Sequence, residues 1–236
     1  MPSIKTVKKF IFDLLFPIYC LGCQKEGFWL CEDCLKKVKL NPRQVCPLCK
    51  KKTYFGEFCE NCQVTSSLRG IVVAAPYHDK LLQIAIRTLK YKFAEELSEP
   101  LGKILVNALT NTIFKNSTPE NTVLIPVPLH RRRIRWRGFN QAELLAKQIG
   151  KKFNFPVLNN VVGRAKNTAT QTELNFIDRR LNIRNAFVLK NAAAIHNKNI
   201  FLIDDVSTTG ATLEECGRVL AAAKPKEIWG VVLARG

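Results

Sequence analysis

The most restrictive feature of this sequence is a set of eight cysteines near its beginning, arranged as four CxxC pairs within 43 residues. The pairs are Cys20/Cys23, Cys31/Cys34, Cys46/Cys49 and Cys59/Cys62. A region this short, with few large aliphatic side chains, cannot build a hydrophobic core of its own. Tetrahedral zinc supplies the missing cohesion, because four thiolates hold one ion at about 2.3 Å and each CxxC turn offers two ligands. The spacing therefore predicts two closed, structural zinc sites.

Two pairings of these cysteines are compatible with their spacing. The economical one is sequential, so that the first four cysteines hold one ion and the last four hold the other; a cross-braced arrangement would interleave the pairs. Redox-active CxxC pairs are the alternative without metal. The ninth cysteine, Cys216, stands alone in the C-terminal half, where small core filling is the expected role.

The N-terminal segment 1–17 places lysines before an apolar stretch, as a signal peptide does. Asp13 interrupts the stretch and no small-x-small cleavage site follows. The apolar residues fall at helical spacing: Ile4, Val7, Ile11, Leu14 and Leu15. This spacing predicts an amphipathic helix docked on the body of the protein, with an interfacial membrane helix as the alternative. We expect a cytoplasmic protein without a transmembrane segment, or one peripheral to the inner face of the membrane.

The pattern changes after the cysteines, so we expect three parts: the helix 1–17, a double zinc ribbon over 18–66, and a larger domain over 67–236. Strands are predicted at 70–77, 122–129, 199–204 and 227–235. Helices are predicted at 79–92, 94–114, 140–153 and 209–224. Because strands alternate with helices, the predicted fold is α/β, with a parallel sheet covered on both faces.

The net charge is +18, and the larger domain carries most of it. Residues 1–67 contribute +5 and residues 68–236 contribute +13. Two zinc ions with four thiolates each would bring the first segment close to neutrality. The positive field of the larger domain favours an anionic partner, either a phosphorylated small molecule or nucleic acid.

The stretch "FLIDDVSTTGAT" follows a predicted strand and leads into a predicted helix. Ligands of open α/β sheets bind beyond the carboxyl ends of the strands, and a helix N-terminus favours phosphate. Two carboxylates would repel a phosphate they touched, but they can accept hydrogen bonds from sugar hydroxyls nearby. The pattern therefore predicts a site for a ribose 5-phosphate group, formed by Asp204, Asp205, Val206, Ser207, Thr208, Thr209, Gly210, Ala211 and Thr212.

This stretch resembles the phosphoribosyl-pyrophosphate (PRPP) loop of type I phosphoribosyltransferases. Similarly, "IPVPLHRRRIRWRGFNQAELLA" resembles the segment that holds pyrophosphate in such enzymes. The resemblance implies pyrophosphate contacts from Arg137, Gly138, Phe139, Asn140 and Lys92. If 131–137 is extended, its alternate arginines share one face; a solvated basic loop is the alternative for 131–133.

A third segment, "GRAKNTATQTELNFIDRRLNIRNAF", resembles the flexible loop that closes over the substrate in this fold. The resemblance implies roles in this loop for Thr168, Gln171 and Arg179. It also implies that Arg164 contacts the anion and belongs, with Asp204 and Asp205, to the catalytic residues. Closure would exclude water from an activated sugar.

Together these segments and the cysteine-rich N-terminus resemble the ComF family of competence proteins over essentially the whole chain. The resemblance implies PRPP binding with Mg²⁺, release of pyrophosphate as phosphoribose passes to an unidentified acceptor, and an association with DNA uptake. The alternatives are a non-catalytic PRPP sensor that binds single-stranded DNA, and a scaffold whose zinc ribbons dock a DNA-import helicase or another competence protein. No glutaminase domain or Ser-His-Asp set is visible in the sequence.

Overall fold

The computed structural model describes residues 17–40, 43–110, 112–166 and 181–236. Its helices are α1 (Glu32–Leu35), α2 (Glu60–Gln63), α3 (Lys80–Tyr91), α4 (Ser98–Leu109), α5 (Arg131–Arg137), α6 (Gln141–Phe153) and α7 (Ala211–Ala221). Its strands are β1 (Gly70–Pro76), β2 (Thr122–Pro126), β3 (Val162–Arg164), β4 (Phe187–Leu189), β5 (Asn199–Ser207) and β6 (Glu227–Arg235). The structure describes the chain from residue 17 onward. The helix predicted over 1–17 therefore stays a prediction.

Four parallel strands form the main sheet in the order β1-β6-β5-β2. Helices cover both faces, which confirms the predicted fold class. Helices α3, α4 and α6 contribute Leu82, Leu101 and Leu145 to a core on one face, and α7 contributes Leu213 and Leu220 to a core on the other. This double burial explains why the strands read as continuous apolar runs rather than alternating ones.

The connections of the sheet differ from the expectation in two places. The predicted helix 94–114 is divided into a short 3₁₀ turn, Glu95–Leu97, followed by α4. Pro100 lies in the first turn of α4, where its missing N–H has no intrahelical partner to lose, and the helix continues through it. In addition, β3 and β4 form a small antiparallel pair that the sequence pattern did not predict.

The two cysteine-rich ribbons share one local shape. We call residues 17–38 the first ribbon and residues 43–63 the second ribbon. An antiparallel bridge closes the first knuckle of each, Tyr19 with Glu26 and Val45 with Lys52. At the same place in each knuckle, Gln24 (φ 64°) and Lys50 (φ 66°) adopt the left-handed conformation.

The second ribbon covers the open edge of β1. Gly56 accepts a hydrogen bond from the Ile71 N–H at 2.8 Å, and the Phe58 N–H donates to the Arg69 carbonyl at 3.0 Å. The side chain of Gln44 continues this pairing, because it donates to the Val73 carbonyl at 3.0 Å and accepts from the Val73 N–H at 3.1 Å. The edge strand therefore has its exposed backbone groups satisfied along most of its length.

The first ribbon contacts helices instead. Leu21 and Trp29 pack against the core that includes α3 and α4. Glu32 forms an ion pair with Lys103 of α4 at 2.6 Å. Gly22 lies against α3, since a Cβ on this residue would lie 3.3 Å from a side-chain carbon of Leu81. Among the described residues, no helix combines the length and apolar character needed to cross a bilayer.

Candidate functional site

A cavity of about 310 Å³ opens where β5 and β2 end, between α3, α5 and the start of α7. Its lining combines carboxylates, cations, hydroxyls and aromatic rings: Lys90, Tyr91, Val127, Leu129, Arg133, Trp136, Arg137, Gln141, Arg164, Asp204, Asp205, Val206, Thr208 and Thr212. The carboxyl ends of parallel strands are where ligands of α/β sheets bind. Arg164 lies outside the main sheet, and the small pair β3–β4 brings it to the same cavity as the aspartates.

The aspartate pair, Asp204 and Asp205, is fixed by a lysine and by backbone N–H groups. Asp205 is 3% exposed, and its carboxylate forms an ion pair with Lys90 at 2.9 Å. Asp204 accepts a hydrogen bond from the Asp205 N–H at 2.9 Å, and Asp205 accepts one from the Val206 N–H at 2.6 Å. Burial, and then repulsion from Asp205, raises the pKa of Asp204 to about 7. The pair thus offers one paired carboxylate and one that exchanges its proton near neutral pH.

The turn after β5 has the shape of an anion cradle. Gly210 adopts a left-handed conformation (φ 83°) immediately before α7 begins at Ala211. The Thr209 hydroxyl accepts a hydrogen bond from the Ala211 N–H at 3.2 Å, which fixes the turn. Ser207, Gly210 and Ala211 line a small hollow that adjoins Asp204, and the Ser207 hydroxyl oxygen is buried without a hydrogen-bond partner among the described residues. A helix N-terminus with such a donor is suited to phosphate.

Helix α5 forms the basic wall of the cavity. Residues 131–137 are helical, so the extended arrangement considered for them is wrong and their alternate arginines do not share a face. Helical spacing instead places Arg133, Trp136 and Arg137 together at the cavity. Arg137 is 7% exposed and donates one hydrogen bond to Gln141, while its Nε has no partner among the described residues.

Both buried guanidinium groups stay charged at neutral pH. Burial lowers the pKa of Arg137, while Asp205 acts in the opposite direction. Burial likewise lowers the pKa of Arg164 to about 10. Each guanidinium also lies near an aromatic ring, Arg137 at 5.7 Å from the centroid of Tyr91 and Arg164 at 5.5 Å from that of Phe187.

Three residues of the predicted pyrophosphate segment lie behind the cavity wall rather than in its lining. Gly138 ends α5 with φ 85°, and Phe139 is 8% exposed in the hydrophobic core. Asn140 caps α6 by accepting from the Ala142 N–H at 3.1 Å, and its amide donates to the Val127 carbonyl at 3.0 Å. Asn140 thereby ties the end of the strand segment to the helix that follows.

The lysine at the cavity is Lys90, whereas Lys92 is exposed at the end of α3 and is not in the lining. Lys90 is not among the contacts that the family resemblance implies, although the helical pattern contains its signal. It follows the buried Ile86 by four residues and so lies on the buried side of α3. The flexible-loop residues Thr168, Gln171 and Arg179 lie outside the described residues.

The eight paired cysteines form two groups of four. The groups are Cys20, Cys23, Cys31 and Cys34, and Cys46, Cys49, Cys59 and Cys62; within each group all sulfur atoms lie within 4.8 Å of one another. Zinc–sulfur bonds of about 2.3 Å in a tetrahedron require sulfurs about 3.8 Å apart, so both groups fit a closed zinc site. The pairing is the sequential one.

Backbone donors prepare the first sulfur of each group for a metal. Burial acts to raise the pKa of the Cys20 and Cys46 thiols, but nearby backbone N–H groups outweigh it and lower the pKa of each to about 6. One of these donors is the Cys31 N–H, 3.4 Å from the Cys20 sulfur. Cys216, by contrast, is fully buried among apolar side chains of the larger domain.

Two family descriptions divide the chain as its structure does. Residues 94–236 match the phosphoribosyl transferase domain, and residues 11–63 match the double zinc ribbon domain. The fold and the two cysteine groups therefore define a protein with a phosphoribosyltransferase-type domain behind an N-terminal double zinc ribbon.

Three relatives of the chain narrow this class. "Competence protein F" of Haemophilus influenzae is 32% identical over 93% of this chain and 98% of its own length. "Competence protein ComFC" of Bacillus subtilis is 30% identical over 81% of this chain and 77% of its own length, and "DNA utilization protein YhgH" of Escherichia coli K12 is 27% identical over 92% and 97%. The chain belongs to the ComF family, whose named members are linked to competence and DNA utilization.

Proposed function

We propose that the cavity binds PRPP and that the protein transfers its phosphoribosyl group to an acceptor, with release of pyrophosphate, in a process associated with DNA uptake. The observation that carries this proposal is that the aspartate pair, two hydroxyls of the turn (Thr208 and Thr212) and the two buried guanidinium groups all line one cavity. The small hollow inside the turn adjoins this cavity at Asp204. Four cationic side chains and two carboxylates face it, an excess that suits a ligand with several negative charges.

The proposed arrangement gives each part of PRPP a different partner. The ribose hydroxyls lie against Asp204 and Asp205, and the 5-phosphate lies in the turn that ends at Thr212. The pyrophosphate extends toward Arg137 and Arg164. The Ser207 hydroxyl and Arg137 Nε, which have no hydrogen-bond partner in the part of the chain that the structure describes, supply donors that phosphate oxygens would satisfy.

The proposed reaction needs little acid–base equipment, in keeping with the cavity's lining. As the bond from C1 of the ribose to pyrophosphate breaks, positive charge develops on the sugar and negative charge on the leaving group. In the proposed reaction Arg137 and Arg164 stabilise the leaving group, a role that their burial at the cavity and their contacts with aromatic rings support. Mg²⁺ that accompanies the substrate would add further charge neutralisation. Lys90 forms its ion pair with Asp205 beside the sugar, and the segment with Thr168, Gln171 and Arg179 is proposed to exclude water.

Calorimetric titration with PRPP and Mg²⁺ tests the binding. Wild-type protein is expected to bind, and Asp204→Ala/Asp205→Ala is expected to lose at least ten-fold in affinity. The matched control is Glu95→Ala/Glu96→Ala, which removes an adjacent and exposed acidic pair of the same charge and is expected to bind like wild type. Unchanged affinity in the Asp204→Ala/Asp205→Ala variant would refute the site. Pyrophosphate release in the presence of candidate acceptors then tests transfer.

One surface feature favours a second candidate, a PRPP-binding factor that engages single-stranded DNA. Tyr91, Phe93 and Trp136 form an exposed aromatic cluster at the cavity mouth, with Trp136 centred 6.0 Å from Tyr91 and 5.6 Å from Phe93. The arginines of α5 adjoin it, and aromatic rings beside cations are the usual platform for single strands. Salt-dependent binding of an oligonucleotide that falls on Trp136→Ala, without pyrophosphate release, would support this candidate.

A further inference from the structure

Arg235, the last residue of β6, connects the second ribbon to the turn at residues 207–212, which we call the phosphate loop. Its guanidinium donates to the carbonyl of Pro47, inside the CxxC turn of Cys46 and Cys49, at 2.6 Å. The same guanidinium donates through Nε to the carbonyl of Thr208 at 3.4 Å. One side chain therefore contacts a metal-type knuckle and the turn that follows the aspartate pair.

Arg235 itself is held in place by the sheet. It pairs in parallel register with Ser207 of β5, and its carbonyl accepts from the Tyr77 N–H at 3.0 Å. The next residue, Gly236, donates to the Ser207 carbonyl at 3.2 Å. Because its backbone is fixed on both sides, the guanidinium can transmit the position of one carbonyl to the other.

Two further contacts join the second ribbon to the same loop. Pro47, Leu48 and Phe58 lie across a narrow gap from Thr209 and Gly210, which together line a hollow of about 40 Å³. After the ribbon, the chain is tethered to the first turn of α7.

That tether is made by one carboxylate. Glu214 accepts hydrogen bonds from the Ser66 hydroxyl at 2.7 Å and from the Ser67 N–H at 2.5 Å. The loop is thus bounded on its outer side by the second ribbon and its continuation, whereas the first ribbon packs on α3 and α4.

We propose that Arg235 is a positioning residue that braces the phosphate loop against the second ribbon, so that the integrity of the Cys46–Cys62 site sets the affinity of the loop for the phosphate of PRPP. This inference rests on the proposed function and adds a contact outside the site that determines its affinity for the phosphate. A loop that is already ordered binds phosphate without a further loss of conformational freedom. A loop released from Pro47 must be ordered by the ligand, which lowers the affinity.

The brace can be measured without any ligand. In wild-type protein, hydrogen exchange followed by mass spectrometry reports the protection of the amides of residues 207–212. Arg235→Met keeps the aliphatic stem and removes the donors, and we expect it to speed exchange in this segment at least ten-fold. It should also raise the Kd for PRPP about ten-fold, while two zinc equivalents per chain are retained by elemental analysis. Arg87→Met, which removes an exposed charge from α3, is the control and should change neither quantity.

The two ribbons provide a second, matched pair of variants. Cys23 and Cys49 are the exposed second cysteines of equivalent knuckles. Cys49→Ser is expected to speed exchange at 207–212 and weaken PRPP binding, whereas Cys23→Ser, with its own zinc site weakened, should leave both near wild type. If either variant fails to fold, partial chelation of wild-type protein, with site occupancy followed through exchange in each ribbon, gives the same comparison.

The outcomes separate this inference from the proposed function. Faster loop exchange in Arg235→Met, in a protein that binds no PRPP, would support the brace and refute the proposed ligand. Tight PRPP binding with unchanged exchange and unchanged Kd in Arg235→Met would refute the brace and leave the ligand standing. Equal effects of Cys23→Ser and Cys49→Ser on the loop would also overturn the inference. The loop would then respond to the global stability of the protein and not to the second ribbon in particular.

Discussion

The cysteine groups and the aspartate pair both gather groups that repel one another when charged, and they do so with opposite consequences. In each ribbon, four sulfur atoms lie within 4.8 Å of one another and would together hold one zinc ion, which would convert the repulsion of four thiolates into cohesion. At the cavity, Lys90 neutralises Asp205, while the pKa of Asp204 is raised to about 7 by burial and by its neighbour. In the ribbons the clustered thiolates stabilise the fold through a metal. In the cavity the charge of Asp204 is not neutralised by the protein and can interact with a ligand.

Removal of metal is expected to have the largest effect. The ribbons have little core of their own, so a zinc-free protein should lose the hydrogen bonds that close both knuckles, such as the Gln24 N–H to the Cys20 carbonyl. The sheet depends on apolar burial, and amides of β6 should stay protected. Hydrogen exchange with and without a strong chelator, at zinc contents verified by elemental analysis, measures both regions in one sample. Protected knuckles in zinc-free protein would break the comparison, because cohesion would then come from packing.

Alanine substitutions at two glycines test how far the second ribbon depends on its contact with β1. Gly56 has φ 80°, and a Cβ there would lie 2.2 Å from the Ile71 carbonyl oxygen, a backbone atom that cannot swing away. Gly56→Ala is expected to lower the free energy of unfolding by about 3 kcal/mol. Gly27 of the first ribbon has φ 88° but open space around its Cβ position, so Gly27→Ala should lower it by about 1 kcal/mol.

Urea unfolding of both variants with zinc in excess provides this measurement. Equal losses at the two positions would contradict the prediction, since they would show that the contact with β1 contributes nothing beyond the turn itself. A larger loss at position 56 would show that metal shapes the knuckle while the edge of the sheet holds the ribbon in place.

The sequence predicted the parts of the molecule whose chemistry is local. The four CxxC pairs predicted two metal-type sites because ligand spacing alone decides them, and the run 227–235 predicted β6 with its observed ends because a doubly covered strand is apolar throughout. The stretch 204–212 was predicted to join a strand to a helix, and the structure has this junction, with Gly210 in the left-handed conformation just before α7 begins. In each of these cases neighbouring residues carry the whole signal.

The parts that depend on distant contacts were predicted less well. Helix α5 is rich in charge and was considered as an extended segment, yet the helix is what brings Arg133 and Arg137 to one side. The three-residue strands β3 and β4 are too short for periodicity to detect and exist only through their pairing. Similarity to a motif favours Lys92, whereas the period of α3 favours Lys90, which lines the cavity. The brace at Arg235 has no local signal, because its partners lie 27 and 188 residues away.

The smallest expected effect concerns the aspartate that carries unneutralised charge. The pKa of Asp204 is raised from 3.8 to about 7 in the folded protein, so the folded state binds this proton more tightly than the unfolded state. Stability from this group is therefore fully present below about pH 4 and is lost as pH rises through about 7. Asp204→Asn does not titrate, and at pH 8 it should increase the free energy of unfolding relative to wild type by about 2 kcal/mol, a gain that shrinks as pH falls.

Denaturant unfolding at several pH values, with Glu96→Gln as the exposed control, checks this difference. The same substitution should weaken PRPP binding, because an amide nitrogen faces the sugar where a carboxylate oxygen accepted its hydroxyl. A gain in stability together with a loss in affinity is the signature of a site that is held ready at a cost to the fold. A variant that is no more stable at pH 8 than wild type would show that Asp204 is already neutralised without a ligand, and the contrast between the cavity and the zinc-type groups would disappear.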